Sequence, residues 1–225
     1  MTTVISPTKR TYDRLSEAYG HFNRTLFSDT LPTCLITMQR RSGTFGYFAG
    51  DRFGSADGQE KTDEIALNPS HFRTRTIEDV LSTLVHEMAH LWQHHHGKPS
   101  RPGYHNAQWA SRMRKLGLIP SSTSQPGGKE TGQKMGHYIA EKGAFAAAVA
   151  TLLTEGYALP YVELWDENDE SKRKKKASSK TKYTCPDCGA NAWAKPETRL
   201  LCGECAVNLQ PTEEPDSVPA VEKEK

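Results

Sequence analysis

At 225 residues the chain has room for one medium domain and a small appendage, not for a large multidomain assembly. Hydrophobic residues make up 36% and the mean hydropathy is −0.69. No apolar run is long enough to span a membrane, and the N-terminal MTTVISPTKR lacks the apolar stretch of a secretory signal. A net charge of +2 excludes a globally basic nucleic-acid-binding protein, so any such role must come from local basic segments. A cytoplasmic protein is expected, nucleoid-associated if the source is bacterial.

In chain order, Tyr12, Leu15, Ala18, Tyr19, Phe22 and Leu26 recur at helical offsets and predict an amphipathic helix from about Thr8 to Phe27. Pro32 ends the connection. Leu35–Met38, Thr44–Phe48 and Asp63–Leu67 read as three short strands, with Cys34 in the first as a buried apolar residue. Thr76 is a hydroxyl cap, followed by Glu78 and Asp79 in a first turn. Val80, Leu84, Val85, Met88 and Leu91 continue with helical spacing, and Gly97 and Pro99 stop the helix near His96. Asn106–Leu116 reads as a further helix. The turn-rich Gly117–Gly136 segment reads as a mobile loop at a cleft edge; Glu130 follows its Gly-Lys where a phosphate loop needs Ser or Thr. The alanine-rich Ile139–Leu153 reads as a closing helix. This order predicts an α+β fold, a small antiparallel sheet over helices.

The second helix carries His86-Glu87-Met88-Ala89-His90. Histidines four apart differ by ~40° of rotation and ~6 Å of rise, so both imidazoles leave one face and can reach one metal ion. The apolar flanks argue against a chance match on a surface helix. Glu87 is placed to serve as general base toward a zinc-activated water. A third ligand could come from His94, His95, His96, His105 or Glu130. His94 lies ~12 Å along the axis from His86, too far to share an ion with both motif histidines. His96 would need a turn-forming glycine where Gln93 stands. His105 is favoured, because the Gly97–Gly103 break can return the chain over the helix. The His94–His96 run reads as a polar helix end near the cleft rim rather than a second metal site. Tyr47, Tyr104 and His137 are weak candidates for steadying an oxyanion.

Near the C-terminus, Cys185-Pro-Asp-Cys188 and Cys202-Gly-Glu-Cys205 stand thirteen residues apart. Two such knuckles predict a closed structural zinc site in a zinc ribbon, with strands at Ala192–Ala194 and Arg199–Leu201. Before it, acidic 166–170 gives way to Lys172, Arg173, Lys174, Lys175, Lys176, Lys180 and Lys182. These cations, with Trp193 for base stacking, are candidate nucleic-acid contacts. The expected organisation is a metalloprotease-like domain over 1–165, a charged linker over 166–182, the ribbon over 183–209 and an acidic tail over 210–225.

VLSTLVHEMAHLWQ, followed by a loop and YHNAQWASRMRKLGL, resembles the SprT-like metalloprotease domain of the Spartan type. The similarity covers roughly Tyr12 to Leu118, and the zinc-ribbon tail also fits. In that family the third zinc ligand opens a His-Gly-x-x-aromatic motif, matched here by His105-Asn106-Ala107-Gln108-Trp109 with Asn106 in place of glycine. The resemblance implies a minimal zincin-like fold, one catalytic and one structural zinc, and cleavage of proteins attached to or crosslinked on DNA. Its implied partners are protein substrates and single-stranded or damaged DNA. The competing expectation is a non-catalytic nucleic-acid-binding or transcription-associated adaptor.

Overall fold

The computed structural model describes residues 5–164 and 180–212, and its contacts divide the chain into two units, Met1–Trp165 and Asp166–Lys225. In the first unit, α1 (Pro7–Phe27) starts at Ser6, whose hydroxyl accepts from the Lys9 N–H at 3.3 Å. Its Leu15, Ala18, Tyr19, Phe22 and Phe27 are buried. The second helix, α2 (Ile77–His96), starts at Thr76, which accepts from the Asp79 N–H at 3.1 Å. Leu81, Leu84, Val85, Met88 and Leu91 along it are almost wholly buried. Unlike an amphipathic surface helix, α2 is covered on most of its circumference, as its apolar flanks require. Two further helices close the core: α3 (Ala107–Leu116) contributes Trp109 and Met113, and α4 (Ala144–Thr154) stacks Phe145 on Phe22 with ring centroids 5.6 Å apart.

The sheet beside α2 contains β1 (Leu35–Met38), β2 (Gly46–Gly54) and β3 (Lys61–Leu67) in the order β1-β3-β2. The expected antiparallel sheet is in fact mixed. β2 and β3 form an antiparallel hairpin, but β1 pairs parallel to β3. The cause is the path of the chain: the link between β1 and β2 carries β2 past the position that β3 later fills. Cys34, expected inside the first strand, precedes β1 and is half-buried.

The segment expected to be a mobile loop is bounded by structure. β4 (Leu118–Ser121) and β5 (Gly136–Ile139) pair antiparallel, with Pro120 opposite His137. The closing helix consequently begins at Ala144 rather than Ile139.

In the second unit, β6 (Thr181–Thr184), β7 (Asn191–Ala194) and β8 (Gln210–Pro211) form a sheet in the order β7-β6-β8. β6 therefore starts within the segment expected to be linker, and β8 lies where the tail was expected to begin. The expected strand at Arg199–Leu201 is reduced to an isolated bridge between Leu201 and Asn208. The rest of the predicted acidic tail, from residue 213, lies outside the described residues. Among the described residues no helix is long and apolar enough to cross a membrane.

Candidate metal centre and active site

His86 and His90 leave α2 on one face, and His105 reaches the same point from the loop before α3. One ring nitrogen from each lies within 4.8 Å of the others. A backbone bridge holds His105: its N–H donates to the Gly132 carbonyl at 2.9 Å, and the Gly132 N–H returns to the His105 carbonyl at 3.1 Å. Its Nδ1 also faces the Gly132 carbonyl at 3.2 Å, which leaves Nε2 for a metal. The favoured third ligand thus meets the motif pair, whereas His94 and His95 gather elsewhere with Asp63.

Trp109 is the floor beneath all three imidazoles. Its ring stacks on His90 at 5.2 Å and 17°, and meets His86 at 4.8 Å and His105 at 4.4 Å edge-on. It is fully buried, so it limits ring motion by packing. Asn106, which stands where the resembling motif has glycine, caps α3. Its Oδ1 accepts from the Trp109 N–H at 3.1 Å and from Gln93 Nε2 at 2.8 Å, tying the cap to α2.

His86 has a second tether that the sequence did not reveal. Its Nδ1 lies 3.1 Å from Nδ1 of His137, whose Nε2 lies 2.8 Å from Ser82 Oγ. Ser82 Oγ donates to the Asp79 carbonyl at 2.8 Å. That last bond gives the series a direction: His137 Nε2–H donates to Ser82, and His86 Nδ1–H donates to His137. Only this tautomer leaves His86 Nε2 as a free lone pair facing His90 and His105. His137, an oxyanion candidate that also lines the cleft, has both ring nitrogens engaged, toward His86 and Ser82, and is so placed to orient the His86 ring. Partners of this kind typically set metal affinity by 10–100-fold. His137→Ala is therefore expected to weaken zinc binding by about that factor while the fold persists. Competition with a chromophoric chelator checks this.

Burial keeps these imidazoles neutral. It pushes the His90 pKa down to about 3, with His105 adding to the shift, and lowers His86 and His105 as well. Neutral imidazole is the metal-binding form. Burial acts in the opposite sense on Glu87, raising its pKa to about 8, while a hydrogen bond from the Phe48 N–H opposes the rise. Gly46 lets β2 run this close to α2: a Cβ there would sit 2.8 Å from the Ala66 carbonyl and 3.3 Å from Glu87 Oε1. The centre opens into a cleft of about 1180 Å³ between β2 and β5, lined also by Tyr47 and Tyr104.

The residues that build this centre coincide with a known family. The SprT-like family model matches residues 15–126, the span that carries α2, His105 and α3. The chain is also 49% identical over 62 residues to a Salmonella typhimurium protein described as an uncharacterized protein in the mucB 3' region; this covers 28% of the chain and 84% of that relative. The chain belongs to the SprT-like family. Its first unit is accordingly a metallopeptidase-like domain, and its three-histidine centre is compatible with zinc.

The second unit of this SprT-like chain gathers Cys185, Cys188, Cys202 and Cys205, their sulfurs within 4.8 Å of one another. The two knuckles share one backbone pattern. Cys185 N–H donates to Ala190 O at 2.8 Å and Gly189 N–H to Cys185 O at 3.0 Å; Cys202 N–H donates to Val207 O at 2.8 Å and Ala206 N–H to Cys202 O at 2.9 Å. Gly189 and Ala206, each following the second cysteine, both adopt positive φ. The Cys188 backbone N–H, aimed at the Cys185 sulfur, lowers its pKa to about 7. A thiolate-rich cluster of this kind is compatible with a zinc ribbon.

Of the candidate nucleic-acid contacts, Lys182 on β6 lies directly opposite Trp193 on β7, so both side chains share one face. Trp193 is 62% exposed, and Lys180 is exposed just before β6. Lys172, Arg173, Lys174, Lys175 and Lys176 lie outside the described residues.

Proposed function

We propose that this SprT-like chain is a zinc-dependent metallopeptidase acting on proteins associated with or crosslinked to DNA. The observation that carries the peptidase reading is the convergence of His86, His90 and His105 at the base of an open cleft, with Glu87 beside them and, among the described residues, no fourth side-chain ligand grouped with them. His86, His90 and His105 would hold the catalytic zinc, and the four cysteines a structural one. Zinc at the first position supplies Lewis acidity toward a water molecule and a peptide carbonyl.

The chain's own groups carry the proton. Glu87 takes it from the attacking water and delivers it to the leaving amine. The Phe48 N–H donates to the Glu87 carboxyl and fixes its orientation. β2 lies at an edge of its sheet and borders the cleft. An extended substrate can add to that edge through backbone hydrogen bonds, which need no particular side chain. This suits an enzyme whose targets share a location on DNA rather than a sequence.

The DNA reading rests on the shared face of Lys182 and the exposed Trp193, with Lys180 near by. An aromatic platform beside cations binds single strands with little sequence preference. The test is cleavage of a DNA-bound basic protein with and without single-stranded DNA. Stimulation by DNA that is lost in Lys182→Ala/Trp193→Ala supports the full reading. Cleavage indifferent to DNA keeps the peptidase and removes the DNA role. Firm DNA binding without cleavage by the zinc-loaded chain establishes the adaptor instead.

A further inference from the structure

We propose that Asp63, His94 and His95, with Asp51 beside them, form another metal site, one that takes a divalent transition-metal ion of the zinc type and clamps the sheet to the last turn of α2. The inference is independent of the catalytic reading. His94 lies eight residues beyond His86, ~12 Å along the helix axis, so no ion is shared between the two centres.

Asp63 on β3 is 4% exposed, and a buried carboxylate requires partners. Its Oδ2 lies 2.7 Å from His95 Nε2. Its Oδ1 accepts from the Asp51 N–H at 2.7 Å and lies 3.9 Å from His94 Nε2. The same His94 nitrogen is 3.7 Å from Asp51 Oδ2. Ligand atoms of Asp63, His94 and His95 all fall within 4.8 Å of one another. Tetrahedral bonds of ~2.0–2.1 Å place ligand atoms roughly 3.3 Å apart, close to the His94 separations. The shorter His95–Asp63 distance is a hydrogen bond, which opens by roughly 0.6 Å when an ion replaces the proton between them.

The local backbone is shaped for this gathering. The register of β2 against β3 shifts between Ala49 and Phe53, and within that bulge Asp51 adopts φ 51°. A Cβ at Gly50 would come within 2.7 Å of the His94 ring, so only glycine lets the imidazole lie against the strand toward the two carboxylates. Bulges of this kind re-aim side chains. Two imidazoles with carboxylate oxygens suit zinc and its transition-metal neighbours, whereas magnesium and calcium favour all-oxygen sites. An ion here joins the β2 bulge and β3 to α2, and so fixes the rim of the cleft where β2 borders it.

The test is zinc content of the full-length chain, dialysed against buffered free zinc and counted by emission spectroscopy. His94→Gln/His95→Gln should lose one equivalent relative to the parent chain, with unchanged circular dichroism. His86→Gln/His90→Gln should lose a different equivalent, and the quadruple variant both. An unchanged zinc content in His94→Gln/His95→Gln overturns the proposal, whatever the second pair shows. Unchanged content in His86→Gln/His90→Gln overturns the catalytic zinc and leaves this site standing. If the first pair fails to fold, the exposed Asp51→Asn serves: it should weaken zinc at one equivalent by about tenfold or more, and an unaltered isotherm refutes the site.

Discussion

Glu87→Gln is expected to lower cleavage by ~10²–10⁴-fold, the range that a positioned general base contributes, with zinc content unchanged. Glutamine keeps the size of the side chain but cannot take the proton. The three imidazoles do not depend on it, since they rest on Trp109, His137 and the Gly132 carbonyl. Loss of zinc along with activity would assign Glu87 a structural role and overturn its place as base.

The same substitution has an opposite effect on stability in zinc-depleted protein. Burial raises the Glu87 pKa in the fold from 4.5 to about 8. Between those values the folded chain binds more protons than the unfolded chain, so this group's contribution makes stability fall as pH rises. The penalty is absent below the unfolded value and complete above the folded one. At pH 8 and above it amounts to about 3–5 kcal/mol at most. Glutamine removes it, so Tm should rise by roughly 5–15 °C in alkaline buffer and hardly at all near pH 4. Thermal melts at the two pH values check both the size and the sign.

Replacing Cys202 by serine is expected to unfold the second unit and leave the first intact. Among the described residues of that unit only Tyr183, Cys185 and Cys202 are buried, so apolar burial cannot stabilise it alone. A structural zinc contributes ~10–16 kcal/mol in small modules, well beyond the stability of such a unit. Limited proteolysis should cut the variant after Trp165 and release a resistant N-terminal fragment, with DNA stimulation lost and basal cleavage retained. A ribbon that stays resistant would show that its fold does not depend on the metal.

What was legible in the sequence was local. The Thr76 cap, the periodic apolar residues and the four-residue histidine spacing all lie within one helix, and helical geometry alone places both imidazoles on one face. The paired cysteine knuckles are equally local, because each closes its turn with its own backbone bonds. The tertiary structure decided the rest. Short strands rich in turn residues hid β4 and β5, so His137 could not be placed behind His86, 51 positions away. Trp109 carried a motif position but no sign that it would floor the whole centre. The His94–His96 run is the polar helix end at the cleft rim that its composition predicts, but only the register of β3 brings buried Asp63 against it, 32 positions from His95. Spacing along one helix is determined by bond geometry. Meetings between distant segments are determined by strand register and packing, which no short window of sequence contains.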